Sequence, residues 1–289
     1  MLIEVLFTGT FMGCIYTLIG LGFNLIFNSS QIFNFAQGEF LMLGAMFYVT
    51  FNNVLHFPLA ITFLLCSICV GIVGLLLELG PIRYLADKEP PIIRLILVTL
   101  AFGIIVKNAA ELIWGKYPVR TQGIATEENL ILGGHVFMTQ GFYIIIFTII
   151  ILFFLWFLFK RTLSGKAFLA SAYNKDMAYL CGINVKSMLL ISFVASGLLG
   201  GVAGALISPV SHVSTNMGAL LGLKGFMSAV IGGMGNPIGA ILGGLIIGFS
   251  EQLVGTYIST RLMEVFPFLI LIVVLVNKPH GLIPSNIND

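Results

Sequence analysis

Charge is scarce in this 289-residue chain: Asp, Glu, Lys and Arg make up only 9% of it, against roughly 25% in soluble domains. So small a share excludes a solvated globular domain. The net charge of +2 is too small for the basic surface that binds nucleic acid. Cysteine is sparse as well, and Cys14, Cys66, Cys69 and Cys181 make no disulfide framework. Cys66-x-x-Cys69 lies among Leu, Ile and Val with no second ligand pair nearby, so it reads as small apolar helix residues rather than a redox or metal site. The four histidines are scattered without metal-binding spacing. No nucleophile–base–acid set appears, and Ser211-His212 is an isolated pair, which argues against an enzyme. Met1 to Val5 lack the basic n-region and cleavage site of a signal peptide, so the first helix is expected to be retained.

What the chain has in abundance is apolar surface: 58% of residues are hydrophobic and the mean hydropathy is +1.05. The runs are continuous, unlike the alternation of a transmembrane barrel. They predict an all-α polytopic membrane protein forming one transmembrane domain over 1–289. Apolar runs at about 5–27, 40–51, 59–79, 95–114, 142–159, 187–207, 238–255 and 266–276 predict eight full transmembrane helices. The segment 223–235, short and rich in glycine, reads as an additional broken or re-entrant helix ended by Asn236-Pro237. The polar segment 115–140 reads as an external loop or short hairpin. The loop 160–186 carries Lys160, Arg161, Lys166, Lys175 and Lys186 against one acid, Asp176, and marks the cytoplasmic side. If the broken segment crosses, the amino terminus is external and Lys278 is cytoplasmic, an arrangement that favours crossing.

The stretch 28–45 interrupts this pattern. It places Asn28, Ser29, Ser30, Gln31, Asn34, Gln37 and Glu39 between two apolar runs, where lipid offers no hydrogen-bond partners. It reads as the lining of a cavity or helix break, or as an interfacial loop with Glu39 in a helix's first turn, where the macrodipole favours an anion. A second interrupted, glycine-containing segment, 223–244, corresponds to it by kind. Such pairs mark transport sites at inverted-repeat interfaces; glycine-rich helix packing is the competing explanation.

Charges at membrane depth must be paired or face water. Lys107 and Glu111 are four residues apart and are expected to pair along one helix face. Lys224 and Glu251 have pairing open to them. Asn34, Gln37 and Glu39, with Lys224 and Glu251, form the candidate substrate path. In the basic loop, Ser164 is expected to cap an amphipathic helix and Gly182 to end it, with Phe168, Ala172 and Tyr179 at near-helical spacing. Ser164-Gly165-Lys166 is no P-loop, because Lys160 and Ala167 stand where that motif needs Gly and Ser or Thr.

Three blocks carry a family resemblance: Gly13–Phe23 continued by Asn34–Ala45; Ser164–Ala167 with Leu180–Asn184 and Gly200–Gly204; and Leu223–Phe226 with Val230–Ala240, Gly243-Gly244 and Glu251. The ending Lys278-Pro279-His280-Gly281-Leu282 fits as well. The sequence resembles LivH-type permeases, integral-membrane subunits of branched-chain amino-acid ABC transporters, nearly end to end. It departs at Gln37, where the family commonly has His, and at Asn236-Pro237, which replaces a longer turn. The resemblance implies a second homologous permease, two cytoplasmic ATPase subunits that bind the ATP, and an extracytoplasmic solute-binding protein, with no cofactor on this chain. It also implies that the loop is an ATPase-coupling helix, with Ser164, Gly165, Lys166, Ala172, Asp176 and Gly182 as its candidate residues, in the cytoplasmic membrane of a prokaryote. Similar permeases serve urea or short amides. An ion-coupled carrier using Glu39 or Glu251, and a membrane assembly protein, are the rival readings.

Overall fold

The computed structural model describes residues 1–86, 88, 91–121, 123, 129–132 and 134–283. The chain runs α1 (Leu2–Ser30), α2 (Gln37–Tyr48), α3 (Leu59–Leu77), α4 (Arg83–Ala86), α5 (Ile92–Trp114), then β1 (Asn129–Leu132) and β2 (His135–Met138). It continues α6 (Thr139–Arg161), α7 (Leu163–Tyr173), α8 (Lys175–Leu180), α9 (Val185–Ile207), α10 (Met217–Gly232), α11 (Pro237–Tyr257) and α12 (Phe266–Asn277). Turns of π-helix extend α2 to Val54 and join α3 to α4.

α1 and α9 are apolar on every side and largely buried, as expected of helices at the centre of a bundle. α6 is equally apolar but peripheral. Its Phe153, Phe154, Trp156 and Phe157 are exposed, as a face turned to acyl chains would be. Between the central helices the packing is reciprocal. α1 packs on α10 and α11, while α9 packs on α2 and α3; α5 leans on α2 as α12 leans on α10. The turns entering the two short central helices match: the Gln37 N–H donates to Asn34 O at 3.1 Å, and the Met217 N–H to Ser214 O at 3.2 Å.

These two turns lie on opposite sides of the molecule. The α1–α2 break sits beside the basic helices, where Lys175 Nζ reaches Ser30 O at 3.4 Å. The α9–α10 break sits beside the β1–β2 hairpin region, bonded through Val119 and Val213 at 2.9 Å in both directions. The amino-terminal end of α1 also lies at the hairpin, with the Val136 N–H donating to Glu4 Oε1 at 3.1 Å. The halves α1–α5 and α9–α12 are therefore related by inversion. α10 leaves the hairpin side and ends at Asn24 and Asn28, near the basic-side end of α1. It runs from one side of the bundle to the other.

Three expectations are corrected. Among the described residues six helices, not eight, are long and apolar enough to span alone. The runs at 40–51 and 266–276 form the 12-residue helices α2 and α12, about 18 Å long at 1.5 Å per residue, against a hydrocarbon core of about 30 Å. The broken segment expected at 223–235 is part of a regular helix that starts at Met217; the break follows it, where Gly233 and Gly235 take positive φ of 113° and 83°. The partner of 28–45 in the inverted repeat is the 208–225 region, not 223–244. Glycine content misaligned the halves because close helix packing, shared by α10 and α11, selects glycine wherever backbones touch. The 115–140 segment contains the antiparallel hairpin, Asn129 opposite Met138; its residues 122, 124–128 and 133 lie outside the described ones.

Candidate functional site

α2 and α10 enter the centre of the bundle from opposite sides and touch at Gly38 and Gly218. Beside that contact lies a cavity of about 230 Å³, walled by α1, α2, α5 and α10. Glu39, in the first turn of α2, lines it, as do Lys107 of α5 and the rings of Phe23, Phe35 and Phe226. The position of Glu39 at a helix start suits a carboxylate. Its Oε2 is buried without a hydrogen-bond partner among the described residues.

Lys107 does not pair with Glu111. Glu111 turns to the loop end of α5, where Lys116 lies 3.7 Å away and the Thr215 hydroxyl 3.4 Å away, while Lys107 faces inward to the cavity. One helical turn separates the two, but the neighbours of each helix level differ.

Of the other path candidates, Asn34 is fully buried, and its Oδ1 accepts the Ala36 N–H at 3.1 Å, closing the turn before α2. The exposed backbone of that turn is served from α5: Thr99 Oγ1 accepts the Phe35 N–H at 3.2 Å and lies 3.4 Å from Phe33 O. Gln37 is fully buried and clasps α9, taking the Ser196 hydroxyl and donating to Ser196 O at 3.3 Å. Lys224 and Glu251 do pair, at 2.5 Å, and the Tyr16 hydroxyl donates to the other carboxylate oxygen at 2.6 Å. This triad ties α1, α10 and α11 together and does not line the cavity.

The break after α10 is likewise served from a neighbouring helix. Asn24 Nδ2 donates to Asn236 O at 3.0 Å while its Oδ1 accepts the Gly235 N–H at 3.1 Å. Asn28 Nδ2 donates to Gly235 O at 2.9 Å. The tail closes the same end, the Leu282 and Ile283 N–H groups donating to Ile231 O and Gly232 O at 2.9 Å each. Thr99, Tyr16, Ser196 and Asn24 are thus neighbours of the candidate residues that the sequence reading did not single out, and Lys107, which it paired with Glu111, faces the cavity instead. The amides of Asn24 and Asn28, four apart in an apolar helix, were a readable sign of a shared polar face.

The basic loop expected to couple to an ATPase forms two helices rather than one. Thr162, not Ser164, caps the first, its hydroxyl accepting the Gly165 N–H at 3.0 Å. Asn174 ends α7 in extended backbone and caps α8 through the Asp176 and Met177 N–H groups, both at 3.0 Å. Gly182 follows α8 in left-handed geometry, φ 79°. Ser164, Lys166, Asp176 and Gly182 are exposed; Gly165 and Ala172 are buried.

A helical bundle with two inverted halves, two interrupted helices meeting at its centre and a charged cavity between them defines a polytopic membrane transport protein. The profile of the family described as branched-chain amino acid transport system, permease component, matches residues 5–275, and the chain belongs to that family. It is 27% identical to the high-affinity branched-chain amino acid transport system permease protein LivH of Salmonella typhimurium, over 97% of this chain and 95% of that one. It is 28% identical to the corresponding protein BraD of Pseudomonas aeruginosa over the same shares. A probable LivH of Methanocaldococcus jannaschii is also 28% identical, over 92% of this chain and 87% of that one. No solved structure matches the chain.

Proposed function

We propose that this chain is the permease subunit of an ABC importer that moves branched-chain amino acids across the cytoplasmic membrane of a prokaryote. ATP is hydrolysed on two partner subunits, a second homologous permease completes the pathway, and an extracytoplasmic binding protein delivers the solute. The names of the full-length relatives support the solute class. The observation that carries the coupling is the build of α7 and α8. Their inner face is anchored, Phe168 packing against Phe159 of α6 at a tilt of 45°, with ring centroids 5.3 Å apart. Their outer face offers Leu169, Tyr173, Met177 and Leu180 to a partner.

A push on that face travels by two routes. Gly165 sits against the Leu158 carbonyl, so α7 moves with α6. Lys175 holds the end of α1, next to the break that leads to Glu39. Tilting these helices re-shapes the turn 31–36 and with it the cavity wall. The ion-coupled reading loses ground at Glu251, whose oxygens are both taken by Lys224 and Tyr16.

The test is reconstitution of the purified complex in liposomes with labelled leucine outside and ATP within. Accumulation that needs ATP and the binding protein is expected. Leucine uptake driven by an ion gradient without ATP would sink the reading, and uptake of urea in place of leucine would move the solute class.

A further inference from the structure

Glu39 and Lys107 are the only charged residues among the described lining of this cavity, which is open on one side where Leu100, Ile104 and Leu223 are exposed, and they come from different helices, α2 and α5. The rest of the lining is Phe, Leu, Ile, Ala and Gly, with neither a hydroxyl nor an amide side chain. Each class of solute makes a demand on such a wall. A sugar or a short amide brings several polar groups that would be left without partners, at about 1–3 kcal/mol apiece. A lone cation meets a carboxylate but also an ammonium that repels it. A solute with a third charge would bury that charge unpaired. The wall matches a small molecule with one cationic group, one anionic group and an apolar remainder. Its size, about 230 Å³, is below the 300–1,000 Å³ of pockets for drug-sized ligands.

Resting on the permease reading above, we infer that this cavity holds the zwitterion of an aliphatic α-amino acid within the membrane domain. The ammonium lies at Glu39, the carboxylate at Lys107, and the side chain against Phe23, Phe35 and Phe226. The buried Glu39 Oε2 that lacks a partner receives one from the ammonium. Both protein charges come from segments that move with the coupling: Glu39 follows the break at the end of α1, and Lys107 lies two turns along α5 from Thr99, which ties that break. Widening the gap between α2 and α5 separates the two charges and loosens the solute in one motion. The permease thus recognises the amino-acid backbone by charge and its side chain by apolar contact.

The experiment uses the complete complex in liposomes and photo-leucine, a leucine carrying a diazirine. Illumination is expected to attach it to the cavity walls, in peptides holding Phe23, Leu100 to Ile104 or Leu223 to Phe226, and excess leucine is expected to suppress the adducts. Glu39→Gln and Lys107→Met are each expected to cut leucine uptake roughly ten- to hundredfold, the worth of a charged hydrogen bond. Lys116→Met, an exposed lysine outside the cavity, is expected to leave uptake unchanged. If the wild-type complex carries leucine but the adducts lie elsewhere, or both cavity variants transport at the wild-type rate, this site is overturned while the permease reading stands. Should a variant fail to assemble, the wild-type adduct map decides. If the wild-type complex carries no leucine at all, the solute assignment falls first and this site with it.

Discussion

Gly38 and Gly218 meet backbone to backbone where the two interrupted helices cross. A methyl group on Gly38 would fall on the Gly218 carbonyl oxygen, and one on Gly218 would sit 2.8 Å from the Gly38 carbonyl oxygen. The contact is reciprocal, as a two-fold relation between the halves requires, and neither obstacle is a side chain that could swing aside. Ala at either position is therefore expected to force α2 and α10 apart, at a cost of about 1–3 kcal/mol, read as a lowered melting temperature of the detergent-solubilised protein. Gly80 is the control. Nothing stands within 4 Å of a Cβ there, so Gly80→Ala is expected to stay within about 0.5 kcal/mol of wild type. Equal melting of the Gly38→Ala and Gly80→Ala proteins would refute the close crossing.

The Tyr16–Glu251–Lys224 triad makes a prediction of opposite form, because its value lies in completeness. Removing one ion leaves the other buried and alone, at about 3–5 kcal/mol. Glu251→Leu and Lys224→Met are each expected to destabilise strongly, whereas the double variant recovers most of the loss, since both charges go together. Tyr16→Phe removes one hydrogen bond to a charge and is expected to cost about 1.5–3 kcal/mol. Additive single losses in a double-mutant cycle would show that the pair is not coupled.

The membrane class and the long helices could be read from composition, because a continuous apolar run has few other destinations than lipid. The bounds of α2 and α10 could not. Both begin in polar turns whose hydrogen bonds come from segments far away in sequence, Thr99 of α5 for one and the extended Val119 for the other. Lys107 was misjudged for a similar reason. Its spacing to Glu111 fits a pair on one helix face equally well, and only the packing of α5 on α2 decides that Lys107 turns inward. The split of the basic loop was open to reading at Asn174, an amide of the type favoured at helix starts. The choice of Thr162 over Ser164 as cap depended on where α6 ends.

Asn24 gives a third test, since its one side chain serves two backbone groups of the break at Gly235 and Asn236. Asn24→Leu leaves a buried N–H and a carbonyl unsatisfied and is expected to cost about 2–5 kcal/mol. Asn24→Asp keeps the acceptor for Gly235 and loses only the donor for Asn236, so a smaller loss is expected. Hydrogen exchange at the Gly235 amide separates the two: fast in the Leu variant, slow in the Asp variant. Slow exchange in both would mean that the turn holds without α1.

The family resemblance puts Gly165 and Ala172 among the expected coupling residues, but their burial gives substitutions there a different meaning. Ala172→Glu would bury a charge beneath α7, where Ala172 is only 7% exposed, so the expected result is a destabilised protein. The proposed partner-facing surface is instead tested at Met177 and Leu180, 62% and 78% exposed. Neither supports this chain's own core, so Met177→Glu with Leu180→Glu is expected to leave melting within about 1 kcal/mol of wild type. If these side chains fill an apolar pocket on the ATPase, the double variant loses roughly tenfold or more in solute-stimulated ATP hydrolysis, the loss expected of anchor residues at a protein interface. Normal melting with normal stimulation would move the coupling surface off α8. Normal melting with lost stimulation, and intact uptake in a variant confined to the exposed Phe153 of α6, would place it there.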